Sequence, residues 1–103
     1  MNLNQYEAIH RHRKPDYKLE LRIYPSTEYG GVFSDEPTVV YNTSKDLLQL
    51  KSQVEKLILS IMSVSECDWC FTEMVITENE KFFDYDEAWF YIDRVRGIVS
   101  MRG

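Results

Sequence analysis

Long hydrophobic runs are missing from this sequence. One of its most apolar stretches, residues 57–62, is far shorter than the roughly 20 residues that a membrane-spanning helix needs. Residues 1–6 also lack the apolar segment of a secretory signal peptide. We therefore expect no membrane partner and a cytoplasmic location.

Cysteine is scarce, with two residues, Cys67 and Cys70, in a chain of 103. Their close spacing suits a reducing compartment better than a disulfide framework. A Cys-x-x-Cys pair supplies half of a tetrahedral zinc site, and the two histidines, His10 and His12, would point about 160° apart on a helix. A redox pair belongs at a helix N terminus, whereas the residues after Cys67 have strand character. We predict structural thiols with no bound metal.

Sequence motifs that mark enzymes are also missing. There is no nucleophile elbow, phosphate-binding loop, His-Glu-x-x-His pattern or calcium loop. Asp84, Asp86 and Glu87 are close enough in sequence to suggest an acid/base or metal cluster, but acids are ordinary in the first turn of a helix. We predict that the protein is not an enzyme, has no catalytic residues and needs no cofactor.

Positive charge is in the minority, because 17 acidic residues outnumber 12 basic ones and the net charge is −5. Nucleic-acid binding depends on Lys and Arg side chains that neutralise phosphates, so this balance argues against direct nucleic-acid binding. The distribution is uneven, with most acids in the C-terminal half and a basic segment in the first quarter of the chain. The basic residues there are Arg11, Arg13, Lys14, Lys18 and Arg22.

Apolar residues recur at helical spacing between Leu47 and Ile61, and they predict a long amphipathic helix over about residues 44–62. Thr43 and Asp46 have approximately the spacing of a capping box and mark its start. We expect its apolar side to be buried against a sheet. That side is formed by Leu47, Leu50, Val54, Leu57, Ile58 and Ile61.

Several segments predict β-strands. Residues 17–23 alternate apolar with charged side chains, as in a strand with one face in the core. Residues 38–41 and 69–77 are rich in β-branched and aromatic side chains, and the second has apolar residues on both sides, as in an interior strand. Residues 79–80 predict a turn, after which residues 81–83 return as a short hairpin arm.

Two further helices are predicted near the ends of the chain. A short one begins near Asn4 and ends before Pro15. The other, over about residues 85–96, begins with the acids of a cap at Asp84 and ends before Gly97, a residue favoured just past a helix C terminus.

The whole chain is predicted to form one two-layer α+β domain over residues 1–103, because it has no internal repeat, low-complexity tract or linker. In this arrangement a mostly antiparallel sheet packs against the long central helix and the C-terminal helix.

The acidic C-terminal half favours a basic protein partner, because a surface of one sign steers association. We expect an inhibitor or immunity-type protein that blocks a basic, nucleic-acid-handling partner such as a nuclease. On the predicted C-terminal helix Phe90 projects into solvent among acids, which is the composition of an interface anchor. The expected partner-binding residues are Glu78, Glu80, Asp84, Asp86, Glu87, Phe90 and Asp93.

Other interpretations remain open. An exposed Phe90 is equally compatible with a surface aromatic that has no role. The basic N-terminal segment suggests a nucleic-acid-associated regulator, and salt-dependent retention of DNA or RNA by the isolated protein would favour that function. The third interpretation is a structural subunit of a larger complex.

Overall fold

The structure of the chain is a computed structural model that describes residues 15–102. These residues form five β-strands and, between the second strand and the third, one bent helix. The strands are β1 (Tyr17–Ser26), β2 (Thr38–Ser44), β3 (Trp69–Glu78), β4 (Lys81–Asp93) and β5 (Ile98–Arg102), and the helix consists of α1 (Leu47–Ser52) and α2 (Val54–Met62). The predicted N-terminal helix, with His10 and His12, lies outside the described residues.

All five strands join one antiparallel sheet in the order β2-β1-β3-β4-β5, which confirms the α+β class and the antiparallel sheet. Strand β3 lies at the centre, as its two apolar sides predict. In β1, Leu19, Leu21 and Ile23 are fully buried, and the charged residues between them point to the opposite face. The strand predicted from the alternation of residues 17–23 is therefore confirmed.

The predicted C-terminal helix over residues 85–96 is wrong. Most of that segment belongs to β4, which pairs with β3 along its length. Asp84 and Glu87 resemble a helix cap in the sequence, but in the strand their side chains lie on opposite faces of the sheet. A cap is worth only about 1 kcal/mol. The β-forming run over residues 89–91 and its pairing with the apolar β3 outweigh that signal.

The exposed position predicted for Phe90 is wrong for the same reason. Its side chain is only 5% exposed and lies on the helix-facing side of the sheet, in the buried core with Ile92. In a strand, Ala88, Phe90 and Ile92 all point to one face, whereas on a helix Phe90 would point about 160° away from Ala88 and Ile92. Phe90 therefore stabilises the fold and does not present an anchor to solvent.

A two-residue turn joins β3 to β4 at the predicted position. Asn79 and Glu80 have positive φ angles of 49° and 69°, as a type I′ hairpin turn requires. The N–H of Asn79 donates to the carbonyl of Asp16 at 2.8 Å, and its side-chain oxygen accepts the N–H of Asp16 at 2.9 Å. The arm predicted for residues 81–83 is the start of a 13-residue strand. Gly97, with φ of 68°, lies in the turn between β4 and β5.

The central helix is confirmed, although it begins at Leu47 and bends at Gln53. Its cap is Asp46, whose carboxylate accepts two first-turn N–H groups at 3.0 and 3.3 Å. The cap predicted at Thr43 is wrong, because that residue belongs to β2 and pairs with Lys18 on β1. At the bend the N–H of Gln53 donates to the carbonyl of Leu50, three residues back. No helix among residues 15–102 is long and apolar enough to cross a membrane.

One face of the sheet packs against the bent helix and forms the main core. The buried stripe of the helix is narrower than predicted, because Val54, Leu57 and Ile61 keep part of their surface in solvent. The buried apolar residues are Leu19, Leu21, Ile23, Leu50, Ile58, Met62, Cys70, Ile76, Phe90, Ile92 and Val99.

Ile58→Ala should lower the free energy of unfolding by about 2 to 5 kcal/mol, because Ile58 is fully buried between helix and sheet. Leu48→Ala is the matched control, since Leu48 is 79% exposed on the same helix and its truncation should cost less than about 0.5 kcal/mol. Urea unfolding followed by circular dichroism measures both. Equal losses in the two variants would show that the helix does not pack as described.

Phe90→Ala should destabilise the free protein by about 3 to 5 kcal/mol, because it empties the core beneath the helix. Phe82→Ala provides the comparison, since Phe82 lies on the same strand and is 71% exposed. Thermal unfolding of the two variants separates a core position from a surface one. An unchanged melting temperature for Phe90→Ala would restore the helical interpretation of this segment.

Candidate functional site

The acids predicted to bind a partner do not share one surface. The strand geometry of β4 sends Asp84 and Asp86 to the helix side of the sheet and Glu87 to the other side. Glu78 and Glu80 lie at the turn that joins β3 to β4. Asp93 lies at the far end of β4, where its carboxylate is 3.6 Å from the guanidinium of Arg96. The single acidic face predicted for a helix is therefore not formed.

A cleft of about 200 Å³ lies on the helix side, between α2 and β4. Val54, Met74 and Ala88 line it, and Asp86 is at its rim. Lys51 also lines the cleft, and its ammonium group lies 3.4 Å from a carboxylate oxygen of Asp84.

The side of the sheet opposite the helix is here called the open face. Neighbouring strands align its side chains in rows across the sheet, one of which contains Tyr24, Phe71 and Trp89, and the next Arg22, Glu73 and Glu87. The residues of the open face are Lys18, Glu20, Arg22, Tyr24, Ser26, Val39, Tyr41, Thr43, Trp69, Phe71, Glu73, Val75, Thr77, Phe82, Tyr85, Glu87, Trp89, Tyr91, Asp93, Ile98, Ser100 and Arg102.

An aromatic cluster covers one end of the open face. Phe71 lies between Tyr24 and Trp89 in one row, with ring centroids 6.0 and 5.5 Å away. Phe33, from the loop over residues 27–37, stacks on Phe71 at 5.0 Å. Such pairs stabilise by about 0.5 to 1.5 kcal/mol beyond their burial. The cluster consists of Tyr24, Tyr29, Phe33, Trp69, Phe71, Trp89 and Tyr91.

The loop that brings Phe33 to the cluster is fixed by hydrogen bonds. The hydroxyl group of Ser26, which is almost fully buried, lies 2.9 Å from the carbonyl oxygens of both Glu28 and Val32. The N–H of Ser34 donates to the carbonyl of Pro25 at 3.1 Å. Phe33 itself lies opposite Ser26 in an isolated β-bridge. The loop therefore has a defined path across the open face.

An acidic pair, Glu73 and Glu87, lies in the row next to the cluster, directly opposite each other on β3 and β4. The hydroxyl of Tyr24 donates to one oxygen of Glu73 at 2.6 Å, and the hydroxyl of Tyr85 donates to the other at 2.9 Å. These two hydrogen bonds lower the pKa of Glu73, and the bond to Glu73 raises the pKa of Tyr24. Glu73 therefore stays ionised at neutral pH.

Two basic residues of the open face, Lys18 and Arg22, already interact within this chain. The guanidinium of Arg22 is 3.0 Å from a carboxylate oxygen of Glu20 on the same strand. The ammonium group of Lys18 lies 4.9 Å from the ring centre of Tyr41, as in a cation–π contact. The other members of the basic segment, Arg11, Arg13 and Lys14, lie outside the described residues.

The two cysteines occupy different environments. Cys70 is fully buried in the core, and this burial raises the pKa of its thiol to about 12. Cys67 is partly buried, and both thiols are free. Residues 15–102 contain no group of three or more side chains placed to hold a metal. A neutral, buried Cys70 fits the structural role predicted for it.

The aromatic cluster was not predicted as a site. Two features of the sequence could have indicated it, namely the second apolar side of residues 69–77 and the aromatic run over residues 89–91. The alignment of Phe71 with Trp89 becomes visible only when β4 is known to be a strand in this register. Phe33 comes from a loop whose path no local pattern reveals.

Comparisons with protein-family models, with curated proteins and with solved structures find no match to this chain. Its own surfaces are therefore the basis for a function.

Glu73→Gln should make the stability of the protein less dependent on acidic pH. The native pKa of Glu73 is below its unfolded value of about 4.3, so its charged form stabilises the fold above that value, and this contribution is lost as the pH falls through the native pKa. Urea unfolding between pH 6 and pH 3, as rough limits of this window, measures the difference. The control is Glu66→Gln at an exposed position, which should keep the wild-type dependence. Identical pH profiles for Glu73→Gln and wild type would contradict the described hydrogen bonds.

Proposed function

We propose that this chain is a protein-binding module that docks a basic protein on the open face of its sheet. The observation that supports the proposal is the combination, on this one uncovered face, of a half-exposed aromatic cluster and an ionised acidic pair. Phe33 and Tyr29, at the surface of the cluster, are 36% and 49% exposed.

The aromatic cluster supplies the apolar part of such an interface. Aromatic side chains are enriched among the residues that dominate binding energy, particularly where they lie in a well-packed patch. A sheet with one face covered by a helix leaves its second face available to a partner. Val39 and Tyr41, on the edge strand β2, extend the exposed apolar surface across the face.

The negative charge on and around the open face favours a partner with a basic surface. The loop that covers the cluster carries the exposed acids Glu28, Asp35 and Glu36, and the acidic pair lies beside it. A second copy of the chain would bring the same carboxylates together, and nucleic acid would meet them with phosphates, so both are disfavoured. A basic protein surface has the complementary sign.

The action that fits this surface is inhibition of a nucleic-acid-handling protein, as in immunity proteins. Proteins that bind single strands combine Lys and Arg side chains for phosphates with surfaces on which bases stack. On the open face, carboxylates would take the place of the phosphates in that site, and aromatic rings would take the place of the bases. The module would then block the partner by occupying the place of its substrate.

Phe33→Ala should weaken the complex by about 2 kcal/mol, roughly 30-fold in the dissociation constant, because it removes one of the exposed aromatic rings of the cluster. Asp35→Lys should slow association, most strongly at low salt. The partner is first captured with the wild-type protein from its native host and identified by mass spectrometry. It is then purified and titrated by calorimetry and stopped-flow fluorescence.

The matched controls are Val95→Ala, a 98% exposed apolar residue in the turn between β4 and β5, and Glu66→Lys, an exposed charge reversal. Both should bind like wild type. The proposal is overturned if the captured protein is not basic, or if the open-face variants and the controls bind equally. Salt-dependent retention of DNA or RNA by the isolated protein would instead support the regulator.

A further inference from the structure

The edge strand β2 lacks the features that keep an exposed strand from pairing with another molecule. Charged side chains, proline and bulges protect sheet edges in this way. The seven residues of β2 include no charged residue and no proline, and they pair with β1 in one unbroken register. Val39 and Tyr41 on this strand are 38% and 57% exposed. The free edge of β2 is therefore open to a further strand.

The other free edges among residues 15–102 carry such protection. Strand β5 has only five residues and ends in Arg102. It covers β4 only from residue 89 onward. In the uncovered part of β4, the N–H groups of residues 85 and 87 each donate at 2.9 Å to the carboxylate of the preceding aspartate, Asp84 or Asp86. Strand β2 is therefore the edge best suited to accept a strand.

The outward backbone groups of β2 belong to alternate residues. The N–H of Thr43 donates to the side-chain oxygen of Asn42 at 2.9 Å, so it points away from β1. Because the bonds of an antiparallel ladder alternate along a strand, the N–H and carbonyl groups of Val39 and Tyr41 also point outward. These two residues offer each other the donors and acceptors of a new ladder.

We propose that β2 pairs antiparallel with β2 of a second copy of this chain, with Val40 on the two-fold axis. In this register Val39 lies opposite Tyr41 of the second copy, and symmetry repeats the pair. The two pairs use all four outward N–H groups of these residues. A β-branched side chain opposite an aromatic one is also a favourable cross-strand pair.

The ends of β2 fit the same register. Thr43 lies opposite Pro37 of the second copy, and neither needs an acceptor there, because proline has no N–H and that of Thr43 is already bonded. Antiparallel pairing also brings the start of one β2 to the end of the other. Glu36 precedes the strand and Lys45, which is paired with Asp16, follows it, so opposite charges approach each other.

This pairing leaves the open face free, so it is independent of the proposed function. Residues directly opposite each other share a face, and both open faces therefore lie on the same side of a ten-stranded sheet. The Glu73 carboxylates of the two copies are five strand spacings apart, about 24 Å. That distance exceeds the screening length of about 8 Å at physiological salt, so the acids of the open faces do not oppose the pairing.

Cysteine cross-linking tests the register. Val40→Cys in a Cys67→Ser background should form a disulfide between two copies under mild oxidation, because directly opposite Cβ atoms are about 4.5 to 5.5 Å apart. Thr38→Cys is the matched control, since it lies on the same side of β2 but opposite Asn42 of the second copy. We expect Val40→Cys to cross-link at least roughly tenfold faster, because Thr38→Cys is too far from its own copy for a disulfide. Cys70 does not contribute, because it is fully buried.

Sedimentation equilibrium tests the ladder. The mass of the wild-type protein should rise with concentration from that of one chain toward that of two. Val39→Pro removes an outward N–H and no bond to β1, so it should stay a monomer while circular dichroism shows the same fold. Phe33→Ala, on the open face, is the control and should dimerise like wild type.

The inference is overturned if the wild-type protein stays a monomer up to about 1 mM, a concentration that reveals even weak association. It is also overturned if Val40→Cys cross-links no faster than Thr38→Cys, or if a folded Val39→Pro dimerises like wild type. A monomer whose β2 amides are protected from exchange only by a basic partner would overturn self-pairing and leave the proposed function intact. A dimer that binds no basic protein would instead remove the proposed function and keep the pairing.

Discussion

The central strand β3 has apolar side chains on both of its faces, and the need to cover them determines most of the architecture. One face is sealed by the bent helix and forms the main core. The other face receives only the loop over residues 27–37, which covers one end with Tyr29 and Phe33. A domain with two layers cannot bury both sides of its sheet completely. The rest of the open face is therefore surface, and there the chain carries its charged rows.

Strand pairing, rather than runs in the sequence, determines where negative charge accumulates. Acids that follow one another along β4 alternate between the faces, so Asp86 and Glu87 end up on opposite sides of the sheet. Glu73 and Glu87 are 14 positions apart in the chain, yet they are direct neighbours across two strands. The carboxylate density that matters for recognition is thus a property of register, and it lies beside the aromatic cluster because the same register aligns Phe71 with Trp89.

Local periodicity was sufficient for the elements that obey it along their whole length. The alternation of residues 17–23 and the helical stripe between Leu47 and Ile61 predicted β1 and the central helix correctly. For β4, the caps at both ends of residues 85–96 favoured a helix, whereas the outcome is decided by pairing with β3 across the hairpin turn, which lies outside the segment over which the caps were identified. Phe90 was consequently placed in solvent instead of the core. Of the acids expected to bind a partner, Glu87 is the one at the centre of the open face.

The hydrogen bonds that fix the loop over residues 27–37 also bear on the kinetics of recognition. Ser26 and the bond from Ser34 to Pro25 hold Phe33 in place before any partner arrives. A preorganised contact loses little conformational entropy on binding, so little of the interaction energy is consumed in ordering the loop. Association can then proceed without a slow rearrangement, at a rate set by electrostatic attraction, and differences in affinity between partners should appear mainly in their dissociation rates.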